Sequence, residues 1–334
     1  MATAFKGFKN DDNYTSETFN KFLSYRDIVA DRIRQRYMGT TYPDRGFLIN
    51  KGIAGRTYSA TNGDVNMSSS DVLIPAFMAA YSGKDASKVT LNPFPALKDI
   101  LPNWRITYDG LMRIPYFKKL FKSFSLKHAY QCVYTVGSYS SFNDWVTIGD
   151  GLGFTQNAVT GEAVPSSPYN ISSVTLTEKF APLVGFDATF YNDISFNAQY
   201  ESQRNLTLNS SAGQLVEATS VSFSLGGSYK IANFNQVLKI KSKQQNVNND
   251  LTLNLNVKMS SNSSLIRKIE NNTAQATNGT RTWSINFTAN YVMSKRITMG
   301  AYFDYQSNMP LVSTSAYPTT NCNYGLSINM SLVR

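Results

Sequence analysis

The chain has 334 residues, of which only 16% are charged, with 32 basic against 22 acidic side chains and a formal net charge of +10. A soluble domain usually has about a quarter of its residues charged, whereas this sequence holds 20 Tyr and 20 Phe. No run of about 18 apolar residues occurs, so no transmembrane helix is expected. The cations are scattered without a basic helix, a finger or an aromatic RNA-binding motif, so we expect no nucleic-acid partner.

Residues 1–100 form an irregular region with one or two short helices. The first predicted helix ends at Gly39, and its apolar residues fall at helical spacing: Phe19, Phe22, Leu23, Val29 and Ile33. A second is predicted in "SDVLIPAFMAAYSG", ending near Gly83. The start, "MATAFKGFKNDDN", has no signal peptide, which argues against export unless the chain begins within a longer protein. We expect residues 1–100 to be an extracellular or lumenal insertion.

The segment "IPYFKKLFKSF", residues 114–124, also has helical spacing. One predicted helix face holds the apolar residues Ile114, Phe117, Leu120, Phe121 and Phe124, and the other holds Lys118, Lys119 and Lys122. Pro115 suits a helix start. Two alternatives stay open: a buried structural helix at a turn, or an interfacial helix lying on the inner leaflet of a membrane.

From about residue 103 the chain is nearly all strand, and it reads as an antiparallel meander of long hairpins. "ISFNAQYESQRNLTLN", residues 194–209, alternates between apolar and polar side chains, as one extended strand with two opposite faces does. Nine strands are predicted, near 103–110, 125–140, 171–191, 194–210, 214–231, 250–270, 279–293, 296–316 and 320–334.

A soluble sandwich has the same alternation, so three other features decide what the apolar face contacts. The apolar stripes run about nine to eleven residues, the length of a tilted strand that crosses a bilayer. Aromatic residues close the stripes, as at lipid interfaces: Tyr200, Trp283, Tyr291 and Tyr305. Tight turns are predicted at Asn192–Asp193 and Ser294–Lys295, and long loops at 141–170 and 271–280, the pattern of outer-membrane barrels.

These features predict that residues 101–334 are transmembrane β-barrel strands whose apolar face meets outer-membrane lipid. The tight turns then lie in the periplasm, and the polar face lines a wet lumen through residues that include Asn197, Gln199, Glu201 and Asn205. Bacterial single-chain barrels have even strand counts, and an open sheet edge is not stable in hydrocarbon. With nine strands predicted, we expect missing strands to lie before residue 1.

The sequence holds few groups that carry chemistry. His128 is the only histidine, and we expect an interfacial aromatic-like role for it, while Asp109, Asp187 and Glu201 are isolated carboxylates on separate strands. Cys132 and Cys322 are interpreted as small apolar fillers on strand faces, with a disulfide as the alternative. We therefore expect no enzyme activity, no metal and no cofactor.

Four stretches carry a resemblance to a known family, and together they cover most of residues 71–334. They are "DVLIPAFMAAYSGKDASKVTLNPFPALKDILPNWRITYDGL", "RIPYFKKLFKSFSLKHAYQCVYTVGSY", "EKFAPLVGFDATFYNDISFNAQYESQRNLTL" and "PLVSTSAYPTTNCNYGLSINMSLV". They resemble the C-terminal part of SprA/Sov, the very large outer-membrane translocon of the type IX secretion system in Bacteroidetes, which is also linked to gliding motility. Residues 1–70 match only loosely.

The resemblance implies a C-terminal portion of a very large transmembrane β-barrel that exports folded cargo proteins to the cell surface. It also implies partners: cargo with C-terminal secretion domains, a PorV-like outer-membrane barrel and a plug protein. The expected location is the outer membrane of a Gram-negative, Bacteroidetes-like cell. The alternative function is the barrel of an outer-membrane nutrient receptor or porin, and a third is a soluble β-rich adhesin.

Overall fold

The alternating segments pair into one antiparallel sheet of nine strands, as predicted. The structure is a computed structural model that describes residues 14–92, 94, 102–232, 234, 249–294, 296–312 and 317–331. The described strands are β1 Trp104–Tyr108, β2 Phe121–Val136, β3 Tyr139–Ser141, β4 Val146–Gly149, β5 Leu152–Gln156, β6 Ala163–Ser166, β7 Tyr169–Ile171, β8 Ser173–Phe190, β9 Ile194–Asn209, β10 Gln214–Ile231, β11 Leu251–Lys268, β12 Thr273–Ser294, β13 Ile297–Pro310 and β14 Thr319–Met330.

The large sheet is a meander in the order β1-β2-β8-β9-β10-β11-β12-β13-β14, with every neighbouring pair antiparallel. Between β2 and β8 the chain builds two small sheets, β3-β7 and β4-β5-β6. Within the described residues the large sheet is not closed, because β1 pairs with β2 alone and β14 with β13 alone. The mainly β prediction is therefore confirmed, while closure into a barrel is not.

Four α-helices are described: α1 Glu17–Tyr37, α2 Phe47–Asn50, α3 Ser70–Ser82 and α4 Pro115–Leu120. The Ser16 hydroxyl caps α1 by accepting from the Phe19 N–H at 3.4 Å. After α1 the chain turns at Gly39, and α3 ends on Gly83, both with a left-handed backbone that glycine adopts without strain. The two helices predicted in this region are thus confirmed. None of the described helices has the length and apolar character needed to cross a membrane.

Residues 14–92, which we call the helical cap, pack on one end of the large sheet. Phe22 of α1 meets Phe77 of α3 edge to face, with ring centroids 6.4 Å apart. This core continues without a break into buried side chains of the large sheet, which include Val174, Leu176, Leu206, Leu208 and Leu215. We call the end with the 210–213 and 269–272 turns the cap end, and the end with the 191–193 turn the far end.

The predicted contrast between short turns at one end and long loops at the other is wrong. The predicted loop 271–280 is mostly strand, because β12 begins at Thr273, which pairs with Lys268 of β11. Short turns occur at both ends, and the long connection from Ile231 to Leu251 starts at the far end beside the short 191–193 turn. The polar stretch at the start of β12 satisfies its backbone in the ladder, so its composition does not break the strand.

The predicted helix over residues 114–124 is also wrong in its second half. α4 ends at Leu120, and Phe121 and Lys122 begin β2. A bulge between Phe121 and Ser123 puts Phe121 and Phe124 on the same sheet face, where their ladder partners are Phe190 and Ala188. The bulge therefore produces the three-residue spacing that resembled a helix.

The first prediction concerns the cap core. Phe77→Ala removes a fully buried ring and should lower the free energy of unfolding by about 3–5 kcal/mol. Urea unfolding followed by the helical circular dichroism signal measures this loss. Met38→Ala is the control, because Met38 is 73% exposed, and equal midpoints for the two variants would contradict the packing described.

Candidate functional site: the two faces of the sheet

The register of the ladder places the apolar stripes of successive strands on one face. Tyr200 of β9 lies opposite Phe223 of β10, Phe223 opposite Met259 of β11, and Met259 opposite Trp283 of β12. Opposite residues of neighbouring strands point to the same side of a sheet. The nine strands therefore share one apolar face and one polar face.

Among the described residues, the apolar face is largely exposed from its middle toward the far end. Large side chains are exposed there on many strands: Val184, Tyr200, Phe223, Leu255, Trp283, Met299, Phe303, Tyr324, Leu326, Ile328 and Met330. In β11 the apolar stripe runs from Leu251 to Met259, about 26 Å at about 3.3 Å per residue. Exposed apolar patches of this extent mark contact with protein or membrane rather than water.

The four predicted interface aromatics all lie on the apolar face. Tyr200 and Trp283 share one cross-strand row, and both side chains are exposed. Tyr305 lies opposite Ile285, one step inward from the position of Trp283. Tyr291 lies toward the far end, opposite Leu251 and Met299. Aromatic rings thus stand near both limits of the uncovered zone.

At the cap end the same apolar face carries a buried ion pair. Arg267 of β11 donates from Nε to Glu217 Oε1 of β10 at 2.9 Å, and the two side chains are only 2% and 1% exposed. The Tyr81 hydroxyl of α3 donates to the same Glu217 oxygen at 3.0 Å. Arg267 also donates to the Tyr14 carbonyl at 2.6 Å and lies over the Phe19 ring. These contacts join the cap to the sheet.

A second ion pair lies on the same face, nearer the β2 side, between the buried Glu178 and the half-buried Arg204. Arg204 of β9 donates from Nε to Glu178 Oε2 of β8 at 2.6 Å. The Tyr130 hydroxyl of β2 donates to Glu178 Oε1 at 2.6 Å. Sequence reasoning missed both pairs, although Arg204, Glu217 and Arg267 are charged residues at apolar-face positions of their strands. Such an interruption of an apolar stripe was the available sign of a covered, paired charge.

The four predicted lumen residues lie on the polar face. Asn197 is exposed, and Gln199, Glu201 and Asn205 are half-buried. Gly226 lies between Asn197 and Asn256, and a Cβ at Gly226 would come within 2.2 Å of Asn197 Oδ1. The glycine therefore leaves room for the neighbouring amides to lie flat along the sheet.

Side chains of the polar face hydrogen bond to one another across the strands. Ser228 donates to Asn254 Oδ1 at 2.8 Å, and Asn254 Nδ2 donates to Thr288 at 3.2 Å. Asn286 Nδ2 donates to Asp304 Oδ1 at 2.9 Å. The same pattern recurs for Thr175 with Thr207, Thr189 with Ser195, Thr282 with Asn308, and Asn308 with Thr319. The polar face thus satisfies part of its own hydrogen-bonding capacity.

The histidine lies in a packing environment, and among the described residues neither it nor the two cysteines belong to a cluster of reactive groups. His128 donates from Nδ1 to the Leu183 carbonyl at 2.6 Å, between the rings of Trp104 and Phe180. In the part of the chain that the structure describes, no three His, Cys, Asp or Glu side chains gather as a metal site. Cys132 and Cys322 are both free thiols.

A buried carboxylate in the cap holds α3 against the small sheets. Asp71 Oδ2 accepts from the Ser167 N–H at 2.9 Å and from the Ser166 hydroxyl at 3.4 Å. Burial raises the pKa of the Asp71 carboxyl, and these hydrogen bonds oppose the rise. A cavity of about 430 Å³ adjoins this carboxylate and is lined by Ile33, Arg36, Tyr37, Leu91, Phe94 and Tyr169, among others.

No protein-family model matches the chain, and no curated protein matches it in sequence.

The second prediction concerns the cap contact. Arg267→Met leaves the Glu217 carboxylate buried without its cation, which should cost about 3–5 kcal/mol of stability, while the double variant Glu217→Gln/Arg267→Met should recover most of that loss. Urea unfolding of the cap measures both. Lys21→Met, which removes an exposed pair with Glu17, should change nothing measurable. A double variant as unstable as the single one would contradict the charge argument.

Proposed function

We propose that this chain forms part of the wall of a large outer-membrane barrel that conducts proteins to the cell surface, as the translocon of type IX secretion does. The observation that carries the proposal is the division of the nine-stranded sheet. One face has an uncovered apolar zone of bilayer-like width, and the other is lined by amides and hydroxyls. In the proposal the apolar zone meets lipid and the polar face meets a water-filled passage.

The unpaired edges of the sheet fit a wall that is continued by further strands. The described residues leave β1 and β14 each with one neighbour. An edge strand exposes backbone N–H and C=O groups, each of which costs several kcal/mol in hydrocarbon. In the proposal, additional strands pair with both edges and close the barrel.

The position of the helical cap favours an open passage over a plugged receptor. Every residue of the large sheet in the buried cap core, such as Leu206, Leu208 and Leu215, belongs to the apolar face. A plug inside a barrel packs on the inward, polar face. The proposal therefore puts the cap outside the wall at the extracellular surface, which leaves the polar face free and rejects the lumenal alternative for this region.

The chemistry of the polar face suits a passage for polypeptides. Its side chains are mostly neutral, and several already bond to one another, as Ser228, Asn254 and Thr288 do. A surface whose amides and hydroxyls are partly satisfied offers few strong contacts to a passing chain. Cargo with C-terminal secretion domains, a PorV-like barrel and a plug protein are the partners in this proposal, and the energy for transport comes from elsewhere.

The third prediction tests the assignment of faces. Leu255→Arg places a charge in the uncovered apolar zone and should cost about 2–4 kcal/mol, whereas Asn256→Arg, its exposed neighbour on the polar face, should cost little. The folded fraction in isolated outer membranes, seen as heat-modifiable migration in gels, measures the difference. The same folded fraction for both variants would contradict the lipid-facing assignment.

The fourth prediction tests the transported substance. In a Cys322→Ala background, Asn256→Cys places a thiol in the proposed passage, and a maleimide carrying a large polyethylene glycol chain should obstruct it in intact cells. We expect cargo with C-terminal secretion domains to accumulate in the periplasm while uptake of small nutrients continues.

Two controls accompany this experiment. The unlabelled Asn256→Cys strain should secrete normally, and Leu255→Cys should escape a reagent that does not enter lipid. Reduced nutrient uptake with normal secretion after labelling would establish the receptor or porin alternative and overturn the proposal.

A further inference from the structure

A cluster of phenylalanine rings closes the far end of the apolar face on the β2–β9 side. Phe117 of α4 lies 5.2 Å from Phe124 between ring centroids, and Phe121 lies 4.7 Å from Phe190. The Phe124 and Phe186 rings are stacked, with their centroids 6.0 Å apart. Because Phe121 and Phe124 belong to the apolar face, α4 is attached to that face and not to the polar one.

α4 is held in a fixed position against the turn between β8 and β9. The Tyr191 hydroxyl of that turn donates to the Lys118 carbonyl at 2.8 Å. In the turn before α4 the exposed Tyr108 ring lies against Gly110, where a Cβ would come within 2.5 Å of the ring and require it to move. Ile114, Tyr116 and Leu120 nevertheless remain 45%, 68% and 41% exposed. The helix is thus packed on one side and presents apolar side chains on another, so it is not the buried helix of the first alternative.

Cations surround these exposed apolar side chains. Arg113, Lys118, Lys119 and Lys122 are all exposed. Lys122 lies 3.6 Å from Asp193 with both side chains more than 60% exposed, which makes that pair weak. Among the described residues, Lys118 and Lys119 have no carboxylate within ion-pair distance. The surface therefore combines unpaired positive charge with apolar side chains at the limit of the uncovered zone.

We propose that this surface, the lysine–phenylalanine patch of Arg113 to Lys122, binds the phosphate headgroups of anionic phospholipids. Ile114, Tyr116 and Leu120 enter the acyl boundary, and the ammonium groups of Lys118, Lys119 and Lys122 contact phosphate oxygens. The inference rests on the proposed function to the extent that the apolar face meets lipid. With the cap on the extracellular side, the far end reaches the periplasmic leaflet, where phospholipids and not lipopolysaccharide supply the phosphate.

The test uses the intact protein purified from its native membrane and reconstituted in phosphatidylcholine bilayers that contain phosphatidylglycerol. Spin-labelled forms of both lipids report which headgroup the protein immobilises. The native protein should prefer phosphatidylglycerol. A lysine near an anionic surface contributes about fivefold in binding, so Lys118→Gln/Lys119→Gln/Lys122→Gln should lower the preference at least about fivefold.

Two matched variants test whether the lipid preference depends on positive charge at these positions or on the total charge of the protein. The triple Lys→Arg variant at the same positions should retain the preference. Lys21→Gln/Lys84→Gln/Lys88→Gln, which removes the same charge from the cap, should leave it unchanged. An unchanged preference for phosphatidylglycerol in the patch Gln variant would overturn the inference.

One further outcome separates this inference from the proposed function. Immobilised lipid without headgroup preference would refute the patch and leave the lipid-facing wall standing. No immobilised lipid of either kind would refute the lipid contact of the apolar face, and the patch with it.

Discussion

The register of the backbone ladder is the constraint on which the other features depend. Side chains alternate with a period of two along each strand, so a slip of one residue would move an entire apolar stripe to the opposite face. The ladder keeps Tyr200, Phe223, Met259 and Trp283 in one row across four strands. Only because this register holds from β2 to β14 does the sheet have one continuous apolar face.

Interruptions of the ladder change the direction of side chains and backbone groups at two places in the sheet. The bulge at the start of β2 brings Phe121 and Phe124 to the same face and so builds the aromatic cluster that anchors α4. The irregularity between Phe180 and Val184 of β8 places the Leu183 carbonyl within reach of His128. Bulges are a general means of redirecting side chains without ending a strand.

The apolar face is divided into a zone under the cap, which contains charged residues, and an exposed zone toward the far end. Toward the cap end it carries Glu217 and Arg267 in a buried pair, to which the Tyr81 hydroxyl and the Tyr14 carbonyl add hydrogen bonds, while Glu217 Oε2 has no hydrogen-bond partner among the described residues. Toward the far end it carries no such charge on β11 between Leu251 and Val257, as the proposed contact with lipid requires. On β10 and β11 the buried pair therefore lies where the cap covers the face, and the charge-free stretch lies in the zone of the proposed lipid contact.

The sequence by itself determined the strands, because alternation is a local property, and it determined α1 and α3 through helical spacing and terminal glycines. It also assigned Asn197 and Trp283 to opposite faces by parity alone. Only the tertiary structure decided that the cap packs on the apolar face, that Arg267 and Glu217 meet, and that Phe121 belongs to a strand. Each of these depends on contacts between segments far apart in the chain, and a ladder partner or a bulge leaves no periodic trace in one strand's own sequence.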